Sequence, residues 1–360
     1  MNRTTPDLKR AFFSRTFFPR TCFPVAAAAF YPIVSGAIAA AMLSLPAAAA
    51  SCKTQSQMTA PQRDALASAA RTMVGEIQNG DANALKANTL PAIAADFTGI
   101  SASVDTLKPL MANATITIDS LYALDSSTDP ADAARTDFFC GSPVVVMNIP
   151  NLPPGVYALA ILHATGVPKP QQISLVLAQD AGQRWLLGGL FPKAMTEAGH
   201  DGLWYWVSAR KFAQKNMNWD AWFYYRTAAY YLDPVDFLSS PNMEKLQHEQ
   251  EAVKPANLPG DKPLVLSENG STFQVTGIDT TSELGGFDLE VQYTPDSGQV
   301  ALLRDPPSAR KQVTDVMLAL LGLHPELQQG FHGIWVHANQ GSNSLFSLEL
   351  PMDQILPGSR

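Results

Sequence analysis

Charged residues are scarce in this 360-residue sequence, because Asp, Glu, Lys and Arg together make up only 16% of it. Apolar residues make up 46%, which excludes a disordered chain and supplies enough side chains for a large hydrophobic core. Motifs of several enzyme classes are also missing: there is no G-x-S-x-G, no H-E-x-x-H, no glycine-rich phosphate loop and no C-x-x-C. These absences count against an enzyme, but they do not exclude acid–base catalysis by scattered side chains.

The first 50 residues have the order of an export segment. Basic residues come first, residues 21–52 carry no charge, and Ala48 and Ala50 form an A-x-A site before Ser51. The uncharged run is also long enough for a membrane span, although three prolines interrupt it. Residues 1–50 are therefore predicted to be an export signal or an N-terminal membrane anchor. In both cases the rest of the chain is expected in the periplasm or outer envelope.

Only two cysteines, Cys52 and Cys140, remain after this segment. In an oxidising compartment, two such cysteines predict a disulfide between them. A competing interpretation is a lipid on Cys52, because residues 49–52 resemble a degenerate lipoprotein box. One sulfur atom cannot have both fates. The sequence leaves the disulfide, two free thiols and lipidation open.

The exported part of the chain is acidic. Residues 1–50 hold five of the 25 basic and one of the 32 acidic residues, so the remainder carries 20 basic against 31 acidic residues, a net charge of −11. Such a surface repels phosphate backbones, and we expect no nucleic-acid partner. Membrane contact is expected only through the N-terminal segment or a lipid on Cys52. The expected partner is a peptide, a protein or a small molecule of unknown identity.

Hydrophobic periodicity predicts an α+β chain with two helix-plus-antiparallel-sheet domains joined by a central helical hairpin. Residues 51–197 read as short amphipathic helices followed by strands, one of them continuous over residues 138–149. Residues 198–255 read as an aromatic helical hairpin with a third helix. Residues 256–360 form the second α+β domain, in which Glu268-Asn269-Gly270 signals a tight turn.

Two family resemblances accompany this pattern. A helix ending in Asn79-Gly80-Asp81, small-residue helices after it and a strand around Arg184-Trp185-Leu186 resemble the nuclear transport factor 2-like, or cystatin-like, cone fold over residues 58–195. The hairpin resembles one tetratricopeptide repeat, although Ser208 replaces the usual leucine and no second copy is present. The positions that match its packing offsets are Tyr205, Ala209, Phe212, Ala221, Tyr225 and Ala228.

The aromatic stretch at residues 199–234 holds four of the six tryptophans. Flat amphipathic rings can stack on sugars or bind a peptide. The helical spacing, however, places most of these rings on the buried sides of the helices, where they pack in a core. Trp204, Trp222 and Tyr224 are the rings left over, and we predict that they turn toward a ligand or a neighbouring domain.

Candidate catalytic residues are few. His163 lies on a strand that is apolar on both faces, and in a cone-shaped pocket it would act as acid or base with Asp119, Asp137 or Tyr122. The simpler interpretation is a core histidine with a satisfied ring. His332 and His337 are five apart on one predicted strand and point to opposite faces, so we predict no metal site. No cofactor is predicted.

These observations favour an exported cell-envelope protein with a non-catalytic binding or scaffolding role. The alternative is a small-molecule hydrolase or isomerase that uses His163 and an acidic residue in an N-terminal cone pocket.

Overall fold

The computed structural model describes residues 50–142 and 144–356, and the predicted export segment lies outside them except for Ala50. The chain belongs to the α+β class, as predicted. Among the described residues, no helix is both long and apolar enough to cross a membrane.

The first elements are a short strand and four helices: β1 (Ser51–Thr54), α1 (Ala60–Asn79), α2 (Ala82–Ala87), α3 (Pro91–Ala94) and α4 (Thr98–Met111). The α1 helix ends at Gly80, which takes a left-handed φ of 71° and donates its N–H to carbonyls of the last turn. Glycine reaches this conformation without the steric penalty that a side chain imposes, which explains why α1 ends at this position.

Six strands follow: β2 (Thr115–Asp125), β3 (Arg135–Cys140), β4 (Val145–Pro150), β5 (Val156–Thr165), β6 (Gln171–Gln179) and β7 (Trp185–Ala194). Five strands form an antiparallel sheet in the order β1-β2-β5-β6-β7. The middle strand β5 is apolar on both faces. Ala160 and Leu162 pack in the core with α1 and α4, whereas Leu159 and Ile161 pack in a second core on the other face.

The central part of the chain is helical and contains three very short strands. Its elements are β8 (Thr196–Glu197), β9 (His200–Asp201), α5 (Gly202–Gln214), α6 (Asn218–Leu232), β10 (Leu238–Ser239) and α7 (Pro241–Ala252). The Asp201 carboxylate caps α5 by accepting from the Trp204 N–H at 2.8 Å. A Cβ at Gly202 would lie 2.7 Å from the Leu232 side chain, so glycine permits the close contact between α5 and the end of α6.

The prediction of one continuous strand over residues 138–149 is wrong, because β3 and β4 are separate strands with a turn between them. Gly141 in this turn has a φ of 69°, and a Cβ there would lie 2.9 Å from the Thr54 side chain of β1. With β10, these strands form a small sheet that covers the second face of the five-stranded sheet. A disulfide joins Cys52 of β1 to Cys140 of β3, with 5.1 Å between their Cα atoms.

The last part of the chain is a second α+β unit. Its elements are β11 (Leu264–Glu268), β12 (Ser271–Thr281), β13 (Asp288–Thr294), α8 (Ser297–Leu302), α9 (Pro306–Leu323), α10 (Leu327–Gly330), β14 (Gly333–Gln340), β15 (Asn343–Pro351) and α11 (Met352–Ile355). The strands follow their chain order in one sheet. Asn269 and Gly270 have φ of 49° and 79°, as the predicted tight turn requires. The β13–β14 pair is parallel, unlike the antiparallel expectation, because α9 carries the chain back between the two strands.

The helical hairpin shares its hydrophobic core with the second sheet. Tyr205, Tyr225 and Ala228 of the hairpin are buried in the same cluster as Val291 of β13 and Val336 of β14. The hairpin is also tied to the first sheet. Lys193 of β7 donates to two backbone carbonyls at the C-terminal end of α6, at 2.8 and 2.6 Å, where the helix dipole favours a cation.

Candidate functional site

The predicted catalytic histidine lies away from the helices of the first unit. His163 is on the same face of β5 as Leu159 and Ile161, which is the face covered by the small sheet. The helices cover the opposite face and pack there in a continuous apolar core. A cone-shaped pocket between the helices and the sheet would therefore not contain this imidazole.

The three predicted partners of His163 lie in two other places. Asp119 and Tyr122 line one shallow groove beside β1, where Ser120 donates to the Asp119 carboxylate and burial raises the pKa of Tyr122. Asp137 accepts from the Asn148 amide at 2.7 Å and forms an ion pair with Arg135. The Asn148 hydrogen bond is the main cause that lowers the pKa of Asp137. Among the described residues, no hydrogen bond or ion pair joins His163 to any of the three.

The three predicted ligand-binding rings have different environments. Trp204 is 40% exposed and stacks on the His200 ring at 3.7 Å between centroids. Trp222 is half-buried, with the Arg226 guanidinium 5.4 Å from the centre of its ring. Tyr224 is only 6% exposed, and its hydroxyl donates to the Gly330 carbonyl at 2.5 Å. Tyr224 therefore faces the second α+β unit, where its ring packs against Phe287 and Phe331, and it is closed off from solvent.

Trp204 belongs to an exposed apolar stripe on the first two turns of α5. Leu203 is 57% exposed and Val207 is 43% exposed, whereas Tyr205 and Trp206 between them are buried. The term "α5 stripe" is used below for Leu203, Trp204 and Val207. These three side chains are among the large apolar groups most exposed to solvent in the described part of the chain.

A cluster of four buried rings, the "aromatic junction", joins the hairpin to the second sheet. Its members are Tyr205, Tyr224, Phe287 and Phe331. The Phe287 ring lies 4.9 Å from Tyr205, 5.1 Å from Tyr224 and 5.3 Å from Phe331 between centroids. Phe287 immediately precedes a polar residue at the start of β13, and Phe331 immediately precedes a polar residue at the start of β14.

Those polar residues are Asp288 and His332, and with Glu349 they form the "carboxylate–histidine cluster". One potential ligand atom from each residue lies within 4.8 Å of the others. His332 Nδ1 is 3.0 Å from Asp288 Oδ1. The cluster combines one imidazole nitrogen with two carboxylates, a donor set that suits a divalent cation.

Each of the two carboxylates of this cluster has one oxygen atom without a hydrogen-bond partner among the described residues. The Asp288 side chain is 1% exposed, and its Oδ2 atom has no hydrogen-bond partner among the described residues. The same holds for the buried Oε1 atom of Glu349. Burial raises the pKa of Glu349, the negative charge of Asp288 raises it further, and His332 lowers it. The arrangement concentrates negative charge at the end of the sheet where β13 and β14 begin.

A further buried carboxylate lies on the hairpin side of the aromatic junction. Asp220 of α6 is fully buried, and among the described residues no side chain donates a hydrogen bond to its carboxylate. The pKa of Asp220 is raised to about 8, mainly by burial and also by the nearby Glu326, while the backbone N–H groups of Asp220 and Gly330 lower it. This acid is therefore mostly protonated at neutral pH.

The sequence interpretation missed the carboxylate–histidine cluster, because it compared His332 only with His337 on the same strand. The signal that was present is the alternation of β13, which places Asp288 on the face opposite the core. Gly333, directly after His332, and Gly286, two residues before Asp288, are a second signal. Neither signal identifies which strands become neighbours.

No family model matches the chain, no curated protein matches it, and no solved structure matches it. The cone-fold and tetratricopeptide resemblances therefore stay predictions, and the functional argument depends on the residues of this chain alone.

Proposed function

We propose that this chain is an exported cell-envelope protein with a binding or scaffolding role rather than a catalytic one. The observation that carries the proposal is the α5 stripe. Single exposed apolar residues are ordinary on protein surfaces, but adjacent ones around an exposed tryptophan are typical of a contact surface. The expected partner is a protein or peptide with an apolar face of its own.

The helix that bears the stripe is anchored at its first turn and along its inner face, which favours binding. Asp201 caps its first turn, and the buried Tyr205 fixes its inner face by donating to the Glu197 carbonyl at 2.9 Å. A surface that is already ordered loses less conformational entropy when a partner binds. Trp204 adds a flat ring whose position is set by its stack on His200.

Two features support export. The A-x-A site of the sequence comes immediately before Ser51, which is the first residue of β1. The Cys52–Cys140 disulfide fits an oxidising compartment. A lipid on Cys52 would need the sulfur atom that this disulfide uses.

Site-specific photocrosslinking in cells tests the binding role. A benzoylphenylalanine residue replaces Val207 in one version of the chain and Gln247, on the exposed side of α7, in the control. We expect a discrete cross-linked species from position 207 that weakens when Trp204→Ala is added, and none from position 247. The same products at both positions, or none at position 207, would contradict the proposal.

Intact-mass measurement of the chain from periplasmic, membrane and cytoplasmic fractions tests export. We expect a periplasmic species that begins at Ser51 and is lighter by two hydrogens than the reduced form. Added acyl mass would support lipidation of Cys52 instead. A chain of full length with two free thiols in the cytoplasm would contradict export.

A further inference from the structure

We infer that Asp288, His332 and Glu349 form a binding site for one divalent transition-metal cation of the Zn²⁺ or Mn²⁺ type. This inference is independent of the binding role proposed for the α5 stripe, because the cluster lies on the second sheet and uses none of the stripe residues.

The three residues converge because three neighbouring strands bring them together. Asp288 is the first residue of β13, His332 directly precedes β14, and Glu349 lies on β15. The backbone around His332 is fixed on both sides. Its N–H donates to the Phe287 carbonyl at 2.8 Å, and its carbonyl accepts from the Met352 N–H at 2.9 Å. Ligands held by paired strands keep their positions before a cation binds.

The cluster offers acceptor atoms that the protein itself does not use. Asp288 Oδ2 and Glu349 Oε1 are buried and have no hydrogen-bond partner among the described residues. An unsatisfied buried carboxylate oxygen is costly, and the cost is greater when two carboxylates are close together. His332 contacts only one Asp288 oxygen and so leaves these two atoms unpaired. A cation would satisfy both carboxylates and neutralise their charge.

Two glycines leave the room that the ligand atoms need. A Cβ at Gly333, in the middle strand, would lie 2.7 Å from Glu349 Oε1 and 3.0 Å from Asp288 Oδ1. A Cβ at Gly286 would collide with the His332 ring. Any side chain at either position would push the ligand atoms apart. The middle strand therefore separates the two carboxylates without blocking the space between them.

The dimensions and the donor atoms select the class of cation. Ligand atoms around Zn²⁺ lie about 2.0–2.2 Å from the ion and so about 3–4 Å from one another. The potential ligand atoms here lie within 4.8 Å of one another, so small side-chain movements are enough to close the site. An imidazole ligand favours transition metals over Ca²⁺ and Mg²⁺, which prefer oxygen ligands. The His332 side chain is 54% exposed, which gives the ion a path from solvent.

The same face of the sheet provides a natural comparison. His337 Nε2 lies 3.5 Å from Glu290 Oε1, and His337 Nδ1 lies 3.0 Å from the Ser347 hydroxyl. This second histidine–carboxylate pair belongs to a hydrogen-bonded group that includes Trp335 and Ser347, and no second carboxylate of the described residues joins it in a metal-binding arrangement. Substitutions in the pair therefore separate a specific site from general attraction of cations to this face.

Metal titration of the full chain tests the inference. The protein is freed of metal with a chelator, and binding of Zn²⁺ and of Mn²⁺ is measured by isothermal titration calorimetry and equilibrium dialysis. We expect one equivalent per chain for the wild type and an affinity at least tenfold weaker for His332→Gln and Glu349→Gln. The control Glu290→Gln is expected to bind within twofold of the wild type.

Each outcome decides the question. If neither Zn²⁺ nor Mn²⁺ binds saturably to the wild type, the inference is overturned. It is also overturned by unchanged affinity in His332→Gln and Glu349→Gln, or by an equal loss in Glu290→Gln. Asp288→Asn is expected to lose binding as well, but this buried position is used only if its circular dichroism is native. If it does not fold, the decision rests on His332→Gln, whose half-exposed side chain contributes little to the core.

Discussion

The substitution Asp220→Asn should remove a large part of the pH dependence of folding stability. In the folded chain, burial raises the pKa of Asp220 to about 8, with a further contribution from Glu326. In the unfolded chain the carboxyl returns to the ordinary pKa of about 3.9. Because the folded-state pKa is the higher one, the stability from protonated Asp220 is complete below pH 4 and is lost as the pH rises toward 8.

The size of the effect follows from proton linkage. Between these two pKa values the folded chain holds one proton more than the unfolded chain, so the free energy of unfolding falls by about 1.4 kcal/mol per pH unit. The amide that replaces the carboxyl in the variant does not titrate. The free energy of unfolding of Asp220→Asn, relative to wild type, should therefore rise by about 3 kcal/mol between pH 5 and pH 7. Asp233, whose pKa burial raises to about 6, contributes equally to both proteins and cancels in the difference.

Urea unfolding at pH 5, 6 and 7, followed by tryptophan fluorescence without reductant, measures this difference. The control is Thr227→Val, a buried position on the same helix with no titrating group. Its difference from wild type should be the same at each pH. If the Asp220→Asn difference is equally constant, with a change below about 0.5 kcal/mol per pH unit, Asp220 is ionised in the folded chain and the reasoning from burial is wrong.

Three other substitutions test the packing of the described residues. Replacing both Cys52 and Cys140 by Ser should cost about 2–5 kcal/mol, since a bridge over 88 residues is lost, and reductant should shift the urea midpoint of the wild type only. Lys193→Met should cost about 1–3 kcal/mol, because two carbonyls at the end of α6 lose their donor, and the same urea titration detects it. Gly75→Ala should stabilise α1 by roughly 0.5–1 kcal/mol, because a Cβ there meets no atom within 4 Å, and thermal unfolding should show a higher Tm.

Local sequence patterns predicted the class of the fold and many of its elements. The alternation of Leu289 and Val291 with Glu290 and Gln292 indicated β13, and the Asn269-Gly270 pair indicated the tight turn before β12. These signals depend only on neighbours in the chain. The burial of Tyr224 follows from its position on α6, because the partly exposed side of this helix is formed by Asn218, Trp222, Arg226 and Tyr230, and Tyr224 lies away from that side.

The candidate site was less predictable, since its residues are distant in the sequence. Asp288 and His332 are 44 residues apart, and the α9 crossover between them sets the parallel pairing that brings their strands together. Parallel pairing has no signature in either strand alone, because the register depends on the whole connection. The sequence pattern predicts the polar face of β13, but it does not predict which strand lies beside it.

The short segment from Glu326 to His332 links the buried Asp220 to the carboxylate–histidine cluster. Glu326 raises the pKa of Asp220, the Gly330 carbonyl accepts a hydrogen bond from the Tyr224 hydroxyl, and His332 belongs to the carboxylate–histidine cluster. Ionisation of Asp220 and a cation at His332 would therefore both act on the backbone of this segment. Substitutions at contacting sites are not additive in general. The effect of Asp220→Asn must for this reason be measured with His332 intact and with His332→Gln, before it is assigned to the hairpin alone.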